Sequence, residues 1–119
     1  MKKMAILLST VLVLALAACG GQKHSTPMET AKTFMTAVAD GDSDAIEELN
    51  HSNPMLYPTE QMIKLANKNK MVGMDIDDFT FKQSKDDENT VTVTWNNGDS
   101  DWELYFVKEE DGYYFSKLR

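Results

Sequence analysis

The chain has 119 residues, with 12 Lys and Arg against 19 Asp and Glu, and a net charge of −7. This length suits one domain with a real core, and the acidic balance disfavours nucleic acid and anionic surfaces. The single cysteine, Cys19, excludes an intrachain disulfide and any cysteine-based zinc or redox pair.

Met1-Lys2-Lys3 is a short positive start, and Met4 to Ala18 is an apolar run interrupted only by Ser9 and Thr10. Such a segment is too short and wrongly flanked for a membrane span and has the build of a secretory signal. It closes on Leu16-Ala17-Ala18-Cys19, which resembles the lipobox of bacterial lipoproteins. The resemblance implies cleavage before Cys19, a diacylglycerol on its sulfur, and acylation of the new amine, with palmitate as the acyl group. Residues 1–18 would then be a signal peptide, and their loss removes Lys2 and Lys3 but no acid, leaving a charge of −9. Attachment to the membrane would come from the acyl chains, since two or three chains hold far more firmly than one. Gly20 lacks the acidic retention signal known for some lipoproteins after the lipidated cysteine. The implied location is the extracytoplasmic side of the cell membrane or, where a second membrane exists, the outer membrane.

Residues 19–25 read as a lipidated tether, and Gly20 to Ser25 spans at most about 20 Å. The domain, residues 26–119, opens with Thr26-Pro27-Met28-Glu29: a capping threonine, a proline at the first helical position and a glutamate at the third. Met28, Ala31, Phe34, Met35 and Val38 form an apolar stripe that ends at Gly41. Asp42 to Asp44 can cap a second, shorter helix carrying Ala45, Ile46 and Leu49 inward. A third begins at Pro58-Thr59, with Met62, Ile63, Leu65 and Ala66 on one side and lysines toward its C-terminal half.

After Gly73 the period changes from helical to alternating. Phe79 and Phe81, then Val91, Val93 and Trp95, then Trp102, Leu104 and Phe106, then Tyr114, Ser116 and Leu118 predict four strands in an antiparallel meander. A two-residue Asn97-Gly98 turn pairs Val93 with Trp102 and Val91 with Leu104, keeping all four on one face. For the last hairpin, a tight Asp111-Gly112 turn would pair Phe106 with Lys117. A three-residue loop, Glu110-Asp111-Gly112, pairs Phe106 with Ser116 and Leu104 with Leu118. The second register is preferred, and it gathers Tyr105, Val107, Tyr113 and Phe115 on the outer face of the sheet.

Three capped helices before a four-stranded antiparallel sheet define an α+β fold that resembles the cystatin-like, nuclear-transport-factor-2-like cone. The signals are Thr26-Pro27 to Ala31 with Phe34, Ala37 to Asp42 with Ala45, and Lys108-Glu109-Glu110-Asp111-Gly112-Tyr113-Tyr114, where Tyr114 takes the place of an inward aromatic. The chain is similar to small bacterial lipoproteins bearing such a domain of unknown function. The likeness carries fold and not activity.

Catalysis in such a cone needs ionisable groups converging inside it. His24 lies in the tether, where solvation is expected, and His51 lies in a helix-ending segment that suits capping. No acid stands among the apolar strand positions, so neither a base nor an oxyanion donor can be named. Met71 and Met74 have the spacing of soft copper ligands but also that of core filler. Asp75, Asp77 and Asp78 lack the glycine and distal glutamate of a calcium loop, and Asp86-Asp87-Glu88 reads as a hairpin tip. The reading is therefore non-catalytic, without metal or cofactor. Either Tyr105, Val107, Tyr113 and Phe115 form an apolar face for an envelope protein or a second copy, or Phe34, Val93, Trp95 and Trp102 line a site for a small apolar ligand.

Overall fold

The structure, a computed structural model, describes residues 24–96 and 98–119. The signal segment 1–18, Cys19 and the tether up to Lys23 lie outside the described residues, as does Asn97. Among the described residues the order is α1 (Pro27–Asp40), α2 (Ser43–Leu49), α3 (Thr59–Lys68), a 3-10 turn at Ile76–Asp78, then β1 (Thr80–Gln83), β2 (Thr90–Trp95), β3 (Ser100–Glu109) and β4 (Gly112–Leu118). The strands form one antiparallel sheet in the order β1-β2-β3-β4. The protein thus has the expected α+β arrangement, with its helices N-terminal to the strands.

Local chemistry sets the helix ends. The Thr26 side chain accepts from the Glu29 N–H, and Pro27 fixes the first turn. At the other end Gly41 is left-handed (φ 65°), and the N–H groups of Gly41 and Asp42 bond back to Val38 and Ala37. The Asp42 side chain then accepts from the Ala45 N–H to start α2. One residue ends a helix and the next begins another, so α1 and α2 meet at a fixed corner.

The apolar stripe of α1 lies on the inner face of the sheet. Ala31, Phe34, Met35 and Val38 are fully buried, together with Ile46 from α2, Met62 and Ala66 from α3, and Val91, Val93 and Leu104 from the strands. Phe34 stacks on Phe115 with ring centroids 4.5 Å apart. Met71 is buried in the same core. Asp75 and Asp78 form a reciprocal capping box around the 3-10 turn, which accounts for two members of that acidic cluster.

The β2–β3 register is the one parity requires: Val91 faces Leu104 and Val93 faces Trp102. The Asp99 N–H reaches Asn96 O at 3.1 Å, and Asn96 and Gly98 both have positive φ, at 57° and 90°. The β3–β4 register departs from expectation. Leu104 does face Leu118, but a bulge between Tyr105 and Phe106 shifts the rest, so Phe106 faces Phe115 and Val107 faces Tyr114. Ser116 is the extra residue, and Glu110-Asp111 is the turn. The shift reverses the faces: Phe115 turns inward to Phe34, and Tyr114 falls with Val107 on the outer side.

Candidate functional site at the hairpin end of the sheet

The two groups of residues expected to carry function fare differently. Phe34, Val93, Trp95 and Trp102 do come together, all at 8% exposure or less. They pack as solid core, with Trp95 edge-on to both Trp102 and Phe79, and none of them lines the clefts described below.

The outer-face group does not hold together. Phe115 is fully buried, and the edge of Tyr57 lies against its ring. Tyr113 is half-buried on the core side, where its carbonyl accepts from Thr30 Oγ1. Only Tyr105 and Val107 stay outside, and Val107 is 37% exposed. Tyr105 sits in a charged setting. Its hydroxyl donates to Glu103 Oε1 and accepts from Arg119, and the Lys117 ammonium lies 4.7 Å over its ring. Burial, then the bond to Glu103, raise its pKa. A small cleft of about 280 Å³ beside it is lined by Thr92, Asp101, Glu103 and Arg119. The outer face is therefore polar and of mixed charge rather than an apolar aromatic patch.

The reversed hairpin instead builds a cluster that sequence reasoning missed. Tyr114 is the hub. The His51 ring stacks face to face on it, with centroids 3.8 Å apart and planes 6° from parallel. His24 packs on it at 5.0 Å and fills the space over Gly112, where an added Cβ would fall 2.1 Å from His24 Nδ1. His24 is thus packed on the sheet rather than solvated in the tether. The Tyr114 hydroxyl donates to Asp111 Oδ2 at 2.7 Å, and His51 Nδ1 lies 3.0 Å from Glu109 Oε2.

Backbone pairing holds the cluster in place. The His51 N–H bonds to Phe115 O at 2.9 Å, so the segment after α2 runs beside β4 and covers that edge of the sheet. Farther on, the Tyr57 hydroxyl donates to Leu118 O at 3.0 Å. The hydrogen bond to Asp111, reinforced by burial, pushes the Tyr114 phenol up to about 12. The same bond, with a backbone hydrogen bond, holds the Asp111 carboxyl below its usual range.

His51 and Glu109 form a pair open to solvent, with side chains 40% and 44% exposed. No group of three or more His, Cys, Asp or Glu among the described residues is placed to hold a metal ion. The nearest sizeable concavity, about 620 Å³, is an open cleft between α2 and the loop that follows it, lined by Ser43, Glu47, Asn50, Tyr57 and Glu60. No described helix is long and apolar enough to cross a membrane. The alternation of Tyr113, Tyr114 and Phe115 splits them between two faces in either register, and only the position of the turn decides which face is which.

Comparison with known proteins finds no matching family model, no matching curated protein and no matching solved structure.

Proposed function

We propose that this chain is a lipid-anchored bacterial envelope lipoprotein whose domain acts by binding rather than by catalysis. The observation that carries the reading is Leu16-Ala17-Ala18-Cys19, placed directly behind a positively charged start and an apolar run. Acyl chains on Cys19 would hold the domain at an extracytoplasmic membrane surface despite its acidic charge. The order of three helices and a meander is also what the likeness to cystatin-like lipoproteins implies.

The binding surface is proposed to be the β4 edge, where His24, His51, Tyr114 and Glu109 meet. Its partner class is an envelope protein or a second copy of the chain. An exposed imidazole–carboxylate pair on a rigid aromatic base suits polar recognition, and the mixed-charge outer face around Tyr105 and Val107 can form its rim. The alternative, a carrier of a small apolar ligand, draws no support from an interior in which Phe34, Val93, Trp95 and Trp102 are packed together.

Replacing Cys19 with Ser tests the anchoring. The variant is expected to leave the membrane fraction or to accumulate as an uncleaved precursor. A cleaved Cys19→Ser protein that stays firmly in the membrane fraction would overturn the proposal.

A further inference from the structure

The loop that joins α2 to α3 presents its apolar residues outward. Met55 is 86% exposed and Leu56 63%, more than any other large apolar side chain among the described residues. Neither belongs to the core, and neither is left out by accident of a floppy loop. The N–H groups of Leu56 and Tyr57 both bond to Asn53 O at 2.9 Å, and the Met55 N–H bonds to Asn53 Oδ1. The base of the loop is clamped as well. Asn50 and Ser52 side chains donate to Tyr57 O, and the Tyr57 hydroxyl is tied to β4. Six polar contacts thus serve to hold a Met-Leu pair in water.

The charge pattern of the segment is equally pointed. Asn50 to Thr59 contains no Lys, Arg, Asp or Glu, in a chain whose charged fraction is 26%. The loop also starts beside the first described residue. His24, the first described residue, packs on Tyr114, and His51 stacks on the same ring four residues before Met55. Four residues lie between Cys19 and His24, so across five Cα–Cα steps His24 stays within about 18 Å of Cys19.

We propose that Met55 and Leu56 dip into the interfacial layer of the bilayer that holds the Cys19 anchor. The inference rests on the anchoring reading above. An uncharged apolar tip meets no repulsion from headgroups, and a tethered tip needs only weak intrinsic affinity because its effective concentration at the surface is high. β1, the edge strand of the sheet away from β4, bears Lys82 and lies outside the proposed contact. The partner is the lipid surface itself and not a particular headgroup, since the loop carries no cation with which to choose one.

The test uses the full processed chain, purified from membranes and reconstituted in phosphatidylcholine vesicles, with an environment-sensitive fluorophore on Leu56→Cys. Lys82→Cys serves as the control on the far edge. Expected are a blue-shifted emission at position 56 that is quenched by lipid carrying a spin label near the headgroups, and neither effect at position 82. Partial replacement by phosphatidylglycerol should leave the signal unchanged. A label at 56 in water, a shift without lipid quenching that grows with protein concentration, or a signal that appears only with phosphatidylglycerol each overturns the inference. Intact mass separates the two proposals. Acylated protein with position 56 in water overturns the loop contact alone, and unacylated protein with position 56 quenched sustains the contact and overturns the anchor. Unacylated protein with position 56 in water overturns both.

Discussion

The two hairpins on either side of β3 share one strand and obey different rules. The β2–β3 hairpin alternates without interruption, so every apolar side chain of β2 has an apolar or small neighbour on the inner face. The β3–β4 hairpin cannot alternate, because Phe115 and Leu118 both pair with inner-face residues of β3 while three positions apart. A strand of period two satisfies both only by bulging, and Ser116 is where it does so. The regular hairpin packs its apolar residues on the inner face. The bulged one also turns Tyr114 outward, where it gathers His24, His51 and Asp111.

The sharpest way to break this comparison is to truncate residues on the two sides of the bulged hairpin. Phe115→Ala empties a fully buried site against Phe34 and should cost about 3–5 kcal/mol. Val107→Ala, on the exposed side, should cost less than about 0.5 kcal/mol. Thermal and denaturant melts of both variants check the contrast, and equal losses would mean that the faces are misassigned.

The regular hairpin is tested at its turn. Gly98 has φ 90° and open space around it, so Gly98→Val introduces backbone strain without a clash. A loss of about 1–3 kcal/mol is expected, and an unchanged melting temperature would place the turn elsewhere.

A smaller effect distinguishes the hub of the bulged hairpin. A phenol whose pKa is raised in the folded state stabilises the fold below its ordinary value, near 10, and that contribution disappears as pH rises toward about 12. Asp111 acts in the opposite sense: its lowered pKa contributes stability above the usual carboxyl range, lost as pH falls through the folded value. Tyr114→Phe should therefore narrow its stability deficit against the wild type at both extremes of pH. A deficit that does not change with pH would show that the Tyr114–Asp111 bond is not formed in solution.

The smallest change should come from deleting Ser116. Both registers of the hairpin would then coincide and every side chain would keep its face, so stability should move by less than about 1 kcal/mol. Severe destabilisation would mean that the bulge itself is needed.

What the sequence made legible follows the same divide. Capping at Thr26, the stop at Gly41, the order of elements and the β2–β3 register are each encoded by residues within a few positions of the feature, and they could be read directly. The cluster could not, because it depends on the Glu110-Asp111 turn, which sets Tyr114 opposite Val107, and no local residue marks that turn over the three-residue loop. It also depends on His51 reaching β4 through backbone pairing after α2, a contact 64 residues away in sequence. His24 was misplaced for a related reason: a polar flanking segment has no periodicity, and only the bare backbone of Gly112 makes room for its ring.

The binding proposed at the β4 edge presupposes a chain held beside a membrane, and that proposal turns on one covalent modification. The most direct measurement is the intact mass, with fragmentation of the N-terminus, of the protein extracted from membranes. The account predicts a chain beginning at Cys19 whose mass exceeds that of the polypeptide by a diacylglycerol, or by a diacylglycerol and one further acyl group. A membrane-extracted chain that still begins at Met1, or that carries an unmodified Cys19 thiol, would contradict it.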